Sequence, residues 1–298
     1  MAPRRGGFES NAPACAGAFT MGAEVTIPVL VCYILYWIAL LVILIAWPLF
    51  RKKNPNSKGL IGWIFGASVS SNLIAYSLGI VGLILGECRR RNQYEINIAS
   101  TVFGRIALFC LLYVVLLGIN THLRDRLESK RSISKLVIYG TLAFMALLTI
   151  ASISITCYAL WAGENWWKLI SVDVIVADWR LAVAYWALYL VVVIMGGVFA
   201  TRSLLTLRSR RTSSGLLATF VGATFFSMFT WALIKVIRSS NNLAYNPWTT
   251  EAYVAVEWLS SIFQVASYIL ILLTARVKVQ EPALIVKNHE ADQQHQHL

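Results

Sequence analysis

The sequence predicts an all-α protein: a polytopic membrane bundle of seven transmembrane helices, with its N-terminus outside or lumenal and its C-terminus cytosolic. Three observations predict it. The 298-residue chain is 58% hydrophobic but only 13% charged, with a mean hydropathy of +0.65, whereas soluble domains carry about 25% charged residues. Seven apolar stretches, about 26–50, 59–86, 98–120, 135–161, 180–201, 216–238 and 252–275, each supply the roughly 20 residues a helix needs to cross hydrocarbon. The basic residues fall in short runs between these stretches, as membrane topology requires. The net charge of +12 therefore reads as topology, and nucleic acid is excluded as a partner because no continuous basic face or soluble domain is present.

Residues 1–25 form a short non-cytosolic segment with two arginines, Arg4 and Arg5, and no apolar run. The first apolar stretch is too long for a signal-peptide core and ends in RKK, so it reads as a retained first span. The second span carries small residues at one-turn spacing: Gly62, Gly66 and Ser70 on one row, Ser71, Ala75 and Gly79 on another, then Gly82 and Gly86. Such rows let helices approach closely in lipid. Intramolecular packing is the first reading, and a homodimer seam through the second helix is the alternative.

The third span, IASTVFGRIALFCLLYVVLLGIN, is apolar throughout except for Arg105. A charge at the centre of a spanning helix costs roughly 2.5–3.5 kcal/mol on insertion scales, so it faces protein or trapped water. After the fourth span, WWKLISVDVIVA at 166–177 is short, begins with two tryptophans and carries Lys168 and Asp173. It suits a segment lying at the interface. The fifth, sixth and seventh spans follow, and residues 277–298 form a polar cytosolic tail. Residues 26–276 thus make one membrane domain without internal repeats.

Orientation follows from Lys and Arg. Residues 51–58, the loop at 121–135, the linker with Arg202, Arg208, Arg210 and Arg211, and the tail hold most of the chain's 26 basic side chains. The positive-inside rule places that set in the cytosol. Arg89, Arg90 and Arg91 oppose it locally. The protein is expected to be integral and multi-pass, with endoplasmic reticulum and plasma membrane both compatible.

Few strongly polar side chains lie within the spans. Arg105 and Glu257 sit at matched depth near the outer side, which suggests a buried ion pair or a cavity lined by both, since each alone would be expensive. Trp186, Trp231, Tyr185 and Trp258 are candidate cavity walls; aromatic faces stabilise cations. Cys15, Cys88 and Cys157 fall toward the non-cytosolic side, where one disulfide among them is expected. The four histidines lie in a loop and the tail, so no metal site and no haem is expected, and no cofactor is called for. The seventh span has no lysine for a retinal Schiff base, and phosphate loops, HExxH and G-x-S-x-G are missing.

The layout resembles a seven-helix receptor in outline, but the third span ends in GINTHLRDR and not E/D-R-Y, and the seventh reads VASYILILLTAR without N-P-x-x-Y. The order of elements AWPLFRKK, GLIGWIFGA, DWRLAVAYWALYL and EWLSSIFQVASYILILL is more similar to small fungal seven-helix integral membrane proteins of uncertain role, some encoded in secondary-metabolite gene clusters. That resemblance implies an accessory component handling a small apolar or isoprenoid ligand. It also implies an enzymatic alternative, a membrane-embedded terpene cyclase in which Glu257 is the catalytic acid and the four aromatics guide the cation. Glu95, Asp178 and Glu251 at the outer margin would then have to supply further carboxylates. A receptor-like sensor and a transporter are the remaining alternatives.

Overall fold

The computed structural model describes residues 23–53, 59–88, 93–125, 127, 132–164, 172–209, 215–244 and 248–277. These residues form helices, and among them seven are long and apolar enough to cross a membrane. In order they are α1 (Ala23–Lys53), α2 (Trp63–Glu87), α3 (Gln93–Tyr113), α4 (Asn120–Asp125), α5 (Ser132–Glu164), α6 (Val172–Ser209), α7 (Gly215–Leu243) and α8 (Thr250–Arg276). A π-helical stretch, Val114–Ile119, joins α3 to α4. The third span is therefore one continuous rod of α3, π turn and α4, and α5 to α8 are the fourth to seventh spans.

Several helices outrun the apolar stretches that announce them. The second half of the expected interfacial segment opens α6, because nothing from Val172 to Arg180 breaks a helix: there is no glycine or proline. The first half lies outside the described residues, as do the N-terminal segment with Cys15 and the tail beyond Val277. Pro28 and Pro48 are accommodated near the two ends of α1. At the start of α8 the Thr249 hydroxyl accepts from the Ala252 amide at 3.3 Å, a side-chain N-cap.

The helices close into a ring. Each span packs on the next in sequence, and α8 returns to pack on α1. The third span leans across that ring: α3 lies against α2 and α5, while its π turn and α4 reach α6. Leu111, Leu112, Val115, Leu116, Ile119 and Leu123 are consequently fully buried and form the axis of the core. The lipid-facing side is correspondingly apolar and exposed, as Val42, Ile45, Leu147 and Ile150 illustrate.

Several polar side chains within the spans bond across to neighbouring helices. Ser68 of α2 donates to the Ala107 carbonyl of α3 at 2.8 Å and shares a 2.8 Å hydrogen bond with the Tyr268 hydroxyl of α8. Asn72 donates to the Tyr36 hydroxyl at 2.7 Å, and Ser227 to the Phe263 carbonyl at 2.7 Å. Such bonds average about 0.6 kcal/mol each in membrane proteins, so they set register more than they supply stability.

The small-residue rows of α2 are filled from within the chain. A Cβ on Gly66 would run into the Trp47 indole of α1, and one on Gly82 would lie 2.8 Å from the Asn97 amide oxygen of α3. Trp47 is fixed there by donating its Nε1 proton to the Ile61 carbonyl at 2.9 Å. Gly66→Leu should therefore destabilise the bundle by about 1–3 kcal/mol through overpacking, read as a lower unfolding midpoint in detergent. Gly140 has nothing within 4 Å of its would-be Cβ, so Gly140→Ala should leave the midpoint unchanged or raise it.

Candidate functional site

The polar groups gather at the end of the bundle opposite the basic loops. The inward face of α8 carries Tyr253, Glu257, Ser260, Ser261 and Gln264, spaced three and four residues apart along one helical stripe. Glu257 is 5% exposed at its side chain. Its partner is Arg238 of α7, whose Nη1 donates to Glu257 Oε1 in a salt bridge. The same guanidinium lies over the Tyr253 ring, 5.1 Å from its centroid, and Nη2 reaches the Tyr253 hydroxyl at 3.4 Å. Lys235, one turn away on α7, adds a second positive charge near the carboxylate.

This corrects the expected Arg105–Glu257 pair. The two residues match in depth but not in direction around the ring, because α8 packs on α7 and α1 while α3 packs on α2 and α5. Arg105 turns toward α6. Its guanidinium lies 4.9 Å from the Tyr185 ring centroid and 5.6 Å from that of Trp186. Asp178 is its carboxylate neighbour without a direct salt bridge between them, and Asp178 Oδ1 accepts from Thr156 of α5 at 2.7 Å. Arg105 Nη1 is buried without a hydrogen-bond partner.

The predicted aromatic walls are core. Trp186 and Trp231 meet edge to face at 5.4 Å, Tyr185 and Trp186 at 5.4 Å, and Tyr189 and Trp231 at 5.7 Å. The cluster is closed by Trp231, whose Nε1 donates to Ser260 Oγ at 3.0 Å. Rings that fill one another's space leave none for a ligand. Trp258 sits elsewhere, beside a shallow apolar groove of about 360 Å³ between α1 and α8, with Cys32, Tyr36 and Ser261.

A cavity of about 500 Å³ lies between α1, α2, α3 and α5. Tyr33, Asn72, Tyr76, Asn97, Ser100, Thr101 and Thr156 line it, and Gly79, Gly82 and Gly104 make room where side chains would otherwise intrude. Its walls are held in place from behind. Ser100 donates to the Ala75 carbonyl at 2.8 Å, Thr101 to the Asn97 carbonyl at 2.8 Å, and Tyr33 packs edge-on to Tyr76 at 5.1 Å. Neither Glu257 nor any of the four predicted aromatics lines it. No family model, curated protein or solved structure matches this chain. The site therefore has to be read from its own chemistry.

Among the described residues no group of three His, Cys, Asp or Glu is placed to hold a metal. Cys32, Cys110 and Cys157 are free thiols. Cys88 is disulfide-bonded, with its partner outside the described residues.

The signal for Arg238 was present in the sequence: Lys235 and Arg238 stand three residues apart, hence on one face if the helix continues, and α7 continues to Leu243. The cavity residues carried no such signal, because single Asn, Ser and Thr side chains in a span are ordinary.

Glu257→Gln and Arg238→Gln should each lower the unfolding midpoint and the accumulation of the protein in membranes, since each removes the direct partner of a charge held within the bundle. The double variant should recover part of the loss, with a coupling energy of about 0.5–3 kcal/mol. Arg105→Met combined with Glu257→Gln should be additive. Additivity for the Arg238 pair, or coupling for the Arg105 pair, would contradict the geometry.

Proposed function

We propose that this multi-pass membrane protein is a non-catalytic accessory component that holds a small, largely apolar metabolite in the cavity between α1, α2, α3 and α5, in a secondary-metabolite setting and with a terpenoid as the favoured ligand class. The observation that carries this reading is the cavity itself. Its roughly 500 Å³ falls within the range of small-molecule pockets, and its lining mixes glycine and alanine with hydroxyl and amide groups. That suits a hydrocarbon skeleton bearing one or two oxygens.

The cyclase alternative is less well supported. A general acid must present a proton to the substrate. Glu257 Oε1 instead accepts from Arg238, and Glu257 is not among the cavity's lining residues. The aromatic groups that would steer a carbocation are packed against one another.

The test fills the cavity without disturbing the fold. A Cβ at Gly79 meets only ordinary van der Waals contacts, with Tyr33 and Ser100 at 3.6 Å or more, so Gly79→Leu fits at its Cβ and places the rest of its side chain among the residues that line the cavity. Purified protein in nanodiscs should show a raised unfolding midpoint with an oxygenated isoprenoid alcohol and none with a saturated hydrocarbon of equal length. Gly79→Leu should weaken that response about tenfold, which is 1.4 kcal/mol. Binding that ignores the substitution would sink the reading. Gene deletion with metabolite profiling separates the alternatives: loss of a cyclised product with build-up of its linear isoprenoid precursor would favour the enzyme.

A further inference from the structure

A second cavity lies at the other end of the bundle. It encloses about 510 Å³ between the end of α1, the turn into α2, the π turn, α4 and α5. Arg51, Trp63, Tyr113, Thr121, His122 and Tyr139 mark its walls, and among the described residues no acidic side chain lines it. It shares no lining residue with the cavity assigned above and does not depend on what fills that one.

Three features point to its occupant. The first is Arg51. Its guanidinium lies over the Trp63 ring at 4.6 Å and near the Trp47 ring at 6.0 Å, so cation–π contact holds it beside the cavity that Arg51 lines. A guanidinium placed beside the cavity in this way has N–H donors suited to a phosphate. The second is Trp63, which is 72% exposed, with Tyr139 also exposed beside the same cavity. A tryptophan and a tyrosine open to the surroundings at a helix end sit at the level of lipid headgroups. The third is the π turn. Val114, Leu117 and Gly118 belong both to it and to the cavity wall. Gly118 is pressed against Leu60, whose Cδ1 would stand 3.2 Å from a Cβ. Single π turns within α-helices are frequent at functional sites.

We propose that this cavity binds the phosphate headgroup of an anionic membrane lipid, with Arg51 as the cationic donor, Thr121 as a hydroxyl donor, and Trp63 and Tyr139 flanking the glycerol region. The acyl chains remain in the bilayer. Lys52 and Lys53 follow Arg51 at the end of α1, so the positive field continues outward from the site. By the positive-inside rule this basic end faces the cytosolic leaflet, where anionic lipids concentrate.

The test is native mass spectrometry of the full chain in neutral detergent, titrated with phosphatidylcholine, phosphatidylserine or a phosphatidylinositol monophosphate, and separately with soluble inositol phosphate. The anionic lipids should bind more tightly than phosphatidylcholine. Arg51→Gln should weaken anionic-lipid binding about fivefold, the worth of one basic residue at the membrane surface. Arg276→Gln, an exposed cation at the same end but outside the cavity, should leave it unchanged. Arg51→Lys keeps the charge but not the stacked guanidinium, and should bind anionic lipid less tightly than the unaltered chain and no more weakly than Arg51→Gln. Should Arg51→Gln fail to fold, Trp63→Leu removes the surface on which the guanidinium rests and should produce a comparable loss. Equal binding of neutral and anionic lipid, indifference to these substitutions, or equal loss in Arg276→Gln overturns the site. Binding of soluble inositol phosphate as tight as that of the lipid overturns the lipid as its source.

Discussion

Hydrocarbon does not tolerate an unbalanced charge, and the end of the bundle away from the basic loops is arranged around that constraint. Glu257 can remain in the interior because Arg238 reaches it from the neighbouring helix, with Tyr253 beside the guanidinium and Lys235 as a second nearby positive charge. This pair ties α7 to α8 where Ser227 and Trp231 already bond across at other depths. The α7–α8 edge is thus fastened at several levels, and α8 in turn closes the ring on α1.

The two charged centres are handled differently. Glu257 is neutralised by an opposite charge. Arg105 is instead placed over the faces of Tyr185 and Trp186, with Asp178 further off. Cation–π contact is worth about 2 kcal/mol or more when desolvated, which offsets much of the insertion cost of one guanidinium. The aromatic cluster of α6 and α7 therefore has a structural task beyond filling volume.

The spans were legible in the sequence because length and hydropathy are properties of a single helix. What lies between helices was not. Depth along the membrane could be counted from helix ends, and it placed Arg105 and Glu257 at one level. Direction around the ring depends on packing, and there Arg238 took the partner's place. The same limit applies to Trp186, Trp231 and Tyr185: composition shows that aromatics are present, not whether they face one another or an opening. The glycine rows of α2 were read correctly as a close-packing surface, and the structure supplies Trp47 and Asn97 as what packs there. The π turn had no sequence signal, since Val, Ile and Gly118 in VVLLGI lower helix propensity in general and do not mark a π turn.

Both cavities lie along α2 and the third span, one toward each end, and the layer between them is closely packed. Ser68, Val69, Ala107 and Leu111 are fully buried there, and Ser68 is held at once to α3 and to Tyr268 of α8. The two spaces therefore share a wall that is hydrogen-bonded across α2, α3 and α8, and a shift of any one of these helices would reshape both at once.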